Sequence, residues 1–91
     1  LFVTDSDASR VLAYNISGGI TNGMNASYVL GQSDFTSTAS GVTSSGLNNP
    51  KGAVYMAPYL FVTDSDASRV LAYNISGGIT NGMNASYVLG Q

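Results

Sequence analysis

The sequence predicts an all-β chain of four-stranded antiparallel sheets, and three observations predict it. Leu1 to Gln32 returns letter for letter as Leu60 to Gln91, a period of 59 residues. Such repetition marks one supersecondary unit whose apolar faces need a neighbouring unit to cover them. Short apolar runs rich in β-branched and aromatic residues are separated by clusters of Gly, Asn, Asp, Ser and Pro, the pattern of strands and turns. No stretch carries a 3.6-residue apolar period over three turns, so no helix is predicted.

In chain order, the predicted strands are Leu1 to Asp5 (LFVTD), Arg10 to Ile16 (RVLAYNI) and Ser27 to Gly31 (SYVLG). The second set is Gly52 to Ala57 (GAVYMA), Leu60 to Asp64, Arg69 to Ile75 and Ser86 to Gly90. The runs are apolar at consecutive positions rather than alternating, so both faces of each strand are expected to meet other protein. Pro58 is expected at position i+1 of a type I or II turn between the first two strands of the full set. The Gly18-Gly19 and Asn22-Gly23 pairs lie in a connection too long for a two-residue hairpin and read as loop. Ser33 to Lys51 is polar, and within it Phe35 and Leu47 are the residues expected to dock on the sheets.

Repeats of one four-stranded sheet, each covered on both faces by its neighbours, describe a β-propeller or an open stack of blades. The fold class predicted is all-β with four-stranded antiparallel propeller-type blades: one complete blade plus a three-strand partial blade, part of a larger repeat array or oligomer. Residues 1–32 form the partial blade (strands two to four), 33–51 a polar inter-blade connection, and 52–91 the complete blade. Two full periods would take 118 residues, 27 more than the chain has, which is the length of Ser33 to Tyr59. The 91 residues therefore read as a window on a longer array of 59-residue repeats, or as a deliberately cut piece of one. The edge Leu1 to Asp5 is expected to template another strand, and a head-to-tail contact of that kind closes a ring or grows a fibre.

Composition narrows the chemistry. Charged residues are 9% of the chain, and Arg10, Lys51 and Arg69 are its only cations against five aspartates. A nucleic-acid surface needs a basic stripe to displace counterions, so no nucleic-acid partner is expected. Cysteine, histidine and glutamate are absent, which removes disulfides, thiolate chemistry and the usual zinc ligands. No cofactor or metal is expected. No run of eighteen apolar residues is present to span a membrane as a helix, and no membrane partner is expected. A secretory leader, if the protein is exported, lies outside these residues.

The string GLNNPKGAVYMAPYLFVTDSDASRVLAYNI, followed by ASYVLGQSDFTS, resembles the NHL-type β-propeller repeat, especially the long-linker variety with VLGQ-x-DFTS between blades. The matching residues are Leu47, Asn49, Pro50 and Gly52; Leu60, Phe61, Val62 and Asp64; Arg69, Val70 and Leu71; and Val29 to Gln32 with Asp34 and Phe35. The resemblance covers nearly the whole chain and implies a fold more than a function, because the family includes RNA binders, enzymes and plain scaffolds. Two positions depart from the family pattern. The Asp-x-x-Gly-Asn turn is shortened to Met56-Ala57-Pro58-Tyr59, and the Gly-Asn-Asn before the arginine becomes Asp66-Ala67-Ser68, where Asp is expected to tolerate left-handed backbone. Propeller enzymes of similar type hold a central metal with acidic, Asn or His ligands; a chain with no His or Glu is expected not to be an enzyme, and no catalytic residue is assigned.

Four Asn-x-Ser sequons, at Asn15, Asn25, Asn74 and Asn84, flank the loop between third and fourth strands and are the candidate N-glycosylation sites. An Asn- and Ser-rich loop also creates sequons by accident. O-linked sugar on Thr36 to Ser45 is a weaker candidate. Asp5-Ser6-Asp7 and its copy Asp64-Ser65-Asp66 group oxygens as calcium requires, but no Gly follows at the sixth loop position and no distal Glu completes the set. The preferred reading is structural: Asp5 pairs with Arg10 and Asp64 with Arg69 as exposed loop pairs, each contributing about 0–1 kcal/mol. The tyrosines are read as sheet packing in preference to a sugar-stacking platform.

Identical units build a regular lattice, whereas specific binding sites usually require units to diverge. The function expected is therefore that of a non-catalytic structural repeat protein, extracellular or at the cell surface and glycosylated, whose partners are identical repeats or chains. The competing readings are a ligand- or protein-binding propeller module and an engineered symmetric propeller fragment.

Overall fold

A computed structural model describes all 91 residues and contains two antiparallel sheets. The N-terminal sheet has the order β1 (Phe2–Asp5), β2 (Arg10–Ala13), β3 (Tyr28–Leu30). The C-terminal sheet has the order β4 (Pro50–Met56), β5 (Tyr59–Asp64), β6 (Arg69–Asn74), β7 (Tyr87–Leu89). No α-helix forms, and no helix is long and apolar enough to cross a membrane. The seven predicted strands are all present; most are trimmed at their ends, and β4 and β5 instead start earlier, at Pro50 and Tyr59.

The identical segments take identical backbones. Val3 pairs with Leu12 as Val62 pairs with Leu71, and Leu12 pairs with Val29 as Leu71 pairs with Val88. Single 3-10 turns, Ser6–Ala8 and Ser65–Ala67, link the first two strands of each copy. Each turn ends on a serine in left-handed conformation, Ser9 at φ 50° and Ser68 at φ 54°. The left-handed residue is thus Ser68 and not Asp66, which lies inside the turn. The hairpin between β4 and β5 also differs from expectation. Met56 pairs with Tyr59, so Ala57 and Pro58 are its central residues and Pro58 is at i+2 after a cis peptide bond, as in a type VI turn.

The core lies between the sheets. Val11 and Leu30 from the N-terminal sheet meet Leu60, Val62, Leu71 and Tyr73 from the C-terminal sheet, with Leu47 of the connection completing the cluster. The twin strands turn opposite faces to this core: β2 turns Val11 to it, whereas β6 turns Leu71 and Tyr73, the copies of Leu12 and Tyr14, while Ala13 and its copy Ala72 are buried in both strands. That parity explains the unbroken apolar runs. A segment that must pack with one face in its first copy and with the other in its second needs apolar residues on both.

Within the 91 residues each sheet packs on one other sheet, through one face, although Val29 and Ala72 on the far faces are also buried. β7 is exposed throughout, and Leu1, Ile16 and Ile20 are exposed around the far face of the N-terminal sheet. The expectation that both strand faces meet protein is therefore met once per sheet, because each sheet has one neighbour. The Cα radius of gyration is 12.2 Å, the value of about 12 Å that a compact chain of this length adopts.

Candidate functional site

The connection Ser33 to Asn49 is clamped to both sheets by polar groups that the repeat supplies twice. Gln32, buried at the end of VLGQ, places Nε2 within hydrogen-bond distance of the carbonyls of Ser9 (2.9 Å) and Ala39 (2.6 Å). Its copy Gln91 reaches Ala67 and Ser68 in the same way, at 3.0 Å each. The glutamine thus ties the end of the fourth repeat strand to the 3-10 turn of its own sheet. Gly31 precedes it at φ +90°, and a Cβ there would lie 2.6 Å from Leu47 Cδ1 and 2.8 Å from Ser9 O, so only glycine fits. Leu47 docks as expected, fully buried, whereas Phe35 is 39% exposed and lines an open cavity.

The two aspartate–arginine pairs form as the sequence predicts, but in different environments. Asp5 Oδ2 accepts from Arg10 Nε at 2.7 Å in a partly exposed setting. Asp64 Oδ2 accepts from Arg69 Nε at 2.9 Å with its side chain wholly buried, which corrects the exposed reading for the second copy. Both arginines donate to carbonyls of the connection, Arg10 to Phe35 O and Arg69 to Gly46 O, but only Asp64 also accepts from it, Asn48 N–H donating to Asp64 Oδ1 at 2.7 Å. At the start of the connection Asp34 accepts from Ser37 N–H (2.7 Å) and Thr36 N–H (3.0 Å). Hydrogen bonding from Ser37 foremost, then from Thr36, holds the Asp34 carboxyl below its usual range.

The interface between sheets carries a second polar element that the sequence reading missed. At the outer edge of β3, Val29 N–H donates to Asn81 Oδ1 at 3.0 Å and Val29 O accepts from Gly82 N–H at 3.0 Å. The Asn-Gly pair, read only as loop, therefore works as a two-point clamp on a neighbouring strand edge. The signal available was its exact recurrence as Asn22-Gly23. Ser44 adds a nearby contact, its carbonyl accepting from Ala85 N–H at 2.7 Å and its hydroxyl donating to Asn84 Oδ1 at 3.0 Å.

All four sequon asparagines are exposed. Asn15 Oδ1 accepts from the Ser17 backbone (3.0 Å) and hydroxyl (2.7 Å), while Asn74 accepts from Ser76 N–H at 3.0 Å. Asn25 lines a cavity of about 490 Å³ on the open face of the N-terminal sheet, with Leu12, Tyr14, Met24 and Phe35. Of the tyrosines read as packing, Tyr73 alone is fully buried; Tyr28, Tyr55 and Tyr87 are exposed. Tyr87 joins Tyr59, Phe61, Ala72 and Leu89 around an apolar cavity of about 240 Å³ on the open face of the C-terminal sheet. The Tyr73 hydroxyl has no hydrogen-bond partner, and burial first, then the charge of Asp64, pushes its phenol pKa well up.

Nowhere do three or more His, Cys, Asp or Glu side chains converge. Identical residues change environment across the interface: Leu30 is 0% exposed and Leu89 54%, Val29 0% and Val88 44%, Leu60 0% and Leu1 60%. No protein-family model matches the chain, and no curated protein or solved structure is found to be similar to it.

Proposed function

We propose that the chain is a non-catalytic structural repeat protein whose sheets are β-propeller blades of the NHL type, working by assembly and display. The observation that carries this reading is that one 32-residue segment, used twice, supplies residues on both sides of a single sheet-to-sheet interface, six of the seven in its buried core, with Leu47 and β4 adding to it from between the copies. A unit of that kind extends by adding identical units, either by blade stacking or by strand addition along β1, into a ring or a fibre. The cavities weigh against a dedicated ligand site: the 490 Å³ cavity on Arg10, Leu12 and Ala26 recurs at about 350 Å³ on their copies Arg69, Leu71 and Ala85. A feature present in every repeat belongs to the repeat's packing.

The same reading places the protein outside the cell or on its surface, with N-linked glycans on some of Asn15, Asn25, Asn74 and Asn84. Support comes from the exposure of all four asparagines and from the low surface charge, which leaves hydration to Ser, Thr and Asn. Negative-stain electron microscopy of the native protein is expected to show rings or fibres with a repeating unit; isolated particles of single-chain size would overturn the assembly role. Mass spectra of sequon peptides are expected to carry hexose steps, and bare asparagines at all four positions would remove the glycan part.

A further inference from the structure

We infer that a second copy of this chain docks head to tail on the first, the open face of its N-terminal sheet seating on the open face of the neighbour's C-terminal sheet. The inference rests on the assembly role proposed above and gives that assembly its contact. The molecule already contains one contact of this kind, in which Val11 and Leu30 pack against Leu60, Leu71 and Tyr73. Each of these residues has an identical twin in the opposite role. Val70 and Leu89 lie on the open side of the C-terminal sheet, and Leu1, Leu12 and Tyr14 on the open side of the N-terminal sheet. The two open faces therefore repeat the β5–β7 and β1–β3 parts of the internal interface, with the same side chains on the same strand register, but not the part made by β4, which lies against β1 internally and has no counterpart in the N-terminal sheet.

The polar key is repeated too. Val88 pairs with Leu71 as Val29 pairs with Leu12, so Val88 turns its N–H and C=O away from the sheet as Val29 does. Between copies, Asn22 accepts from Val88 N–H and Gly23 N–H donates to Val88 O, as Asn81 and Gly82 do internally with Val29. The loop needs no rearrangement, since Gly23 at φ 73° already matches Gly82 at φ 71°. The contact between copies has no counterpart of Leu47 or of β4, so it is weaker than the internal one and its occupancy follows concentration. Because the two faces differ, each docked copy presents a fresh face and growth continues until a ring closes or a fibre forms.

Sedimentation velocity of the intact chain over a concentration series tests this, with Ile20→Asp on one open face and Leu89→Asp on the other; both residues are exposed, so the fold tolerates them. The wild-type chain is expected to show an average mass that rises with concentration, while each variant alone stays monomeric. An equimolar mixture of the two is expected to form a dimer and nothing larger, because one intact head meets one intact tail. Asn22→Ala is expected to raise the half-assembly concentration by roughly five- to tenfold, as loss of a single hydrogen bond does. A wild-type chain that stays monomeric throughout would overturn the assembly role itself. Assembly that persists in both single variants, or a mixture that gives no dimer, would overturn this contact while leaving assembly standing.

Discussion

Truncating Leu30 and its twin Leu89 asks the same chemical question at two positions with identical neighbours in sequence and different neighbours in space. Leu30 is 0% exposed between the sheets, whereas Leu89 is 54% exposed on the open side. Replacing leucine by alanine removes about three methylene equivalents, or about 2.4 kcal/mol of transfer free energy where the side chain is fully buried. A residual cavity at Leu30 raises the loss to about 3 kcal/mol, inside the range of about 2–5 seen for such changes. At Leu89 roughly half the side chain is already wet and no closed cavity forms, so the loss is about 1 kcal/mol. The gap between twins is thus about 2 kcal/mol. With a urea m-value of about 1 kcal/mol/M for a chain this small, Leu30→Ala should unfold roughly 2 M earlier than Leu89→Ala. The assay is equilibrium unfolding in urea at about 1 µM protein, dilute enough that contacts between copies do not add stability. Equal midpoints for the two variants would mean that the sheets do not bury Leu30 between them, and the packing argument would fall with it.

Two further contrasts use the same duplication. Asp64→Asn leaves the buried Arg69 guanidinium without its counter-charge and should lower stability by about 3 kcal/mol, whereas Asp5→Asn at the partly exposed pair should cost under about 1 kcal/mol, both read from thermal melts. Tyr73→Phe removes a buried hydroxyl that has no partner and should stabilise by about 1 kcal/mol, while Tyr14→Phe should be neutral. The pH dependence of the same residue has a definite sign. The folded chain keeps the Tyr73 proton where the unfolded chain has lost it, so above pH 10.0 unfolding releases a proton and stability falls. The slope is about 1.4 kcal/mol per pH unit, and unfolding midpoints of Tyr73→Phe above that pH should lack it. Ser68, exposed and left-handed at φ 54°, should gain roughly 0.5–1 kcal/mol as asparagine, which tolerates that backbone better; a lower melting temperature would count against the conformation.

The strands were legible because β-branched and aromatic runs between Gly, Asn and Pro clusters are a local signal, and the local signal is strong in LFVTD and RVLAY. The Asp–Arg pairs were legible for a similar reason: five residues apart across a hairpin, Asp64 and Arg69 occupy opposite positions of one register. What could not be read was environment. Asp5 and Asp64 sit in the same pentapeptide, and only the contact of Asn48 with one of them decides which is buried. The turn at Pro58 was misplaced because the Met56–Tyr59 pairing, and not the proline alone, sets which turn position it takes. The Asn81 clamp was missed since its partner Val29 is far away in the chain and nothing local to Asn-Gly distinguishes a clamp from a loop.

Exact repetition imposes a condition that a diverged repeat escapes. Each segment must be able to fold with either of its faces inward, since β2 turns Val11 to the core while β6 turns Leu71 and Tyr73 to it. Selection or design at any one position therefore acts on two environments at once. A polar residue at Leu12, harmless at its half-buried site, would unseat Leu71 when copied. That coupling keeps the runs apolar on both faces, and the apolar residues left uncovered at Leu1, Ile20 and Leu89 are its unavoidable product. These uncovered faces are the ones on which a second copy is proposed to dock, and if it does, their exposure should fall as concentration rises.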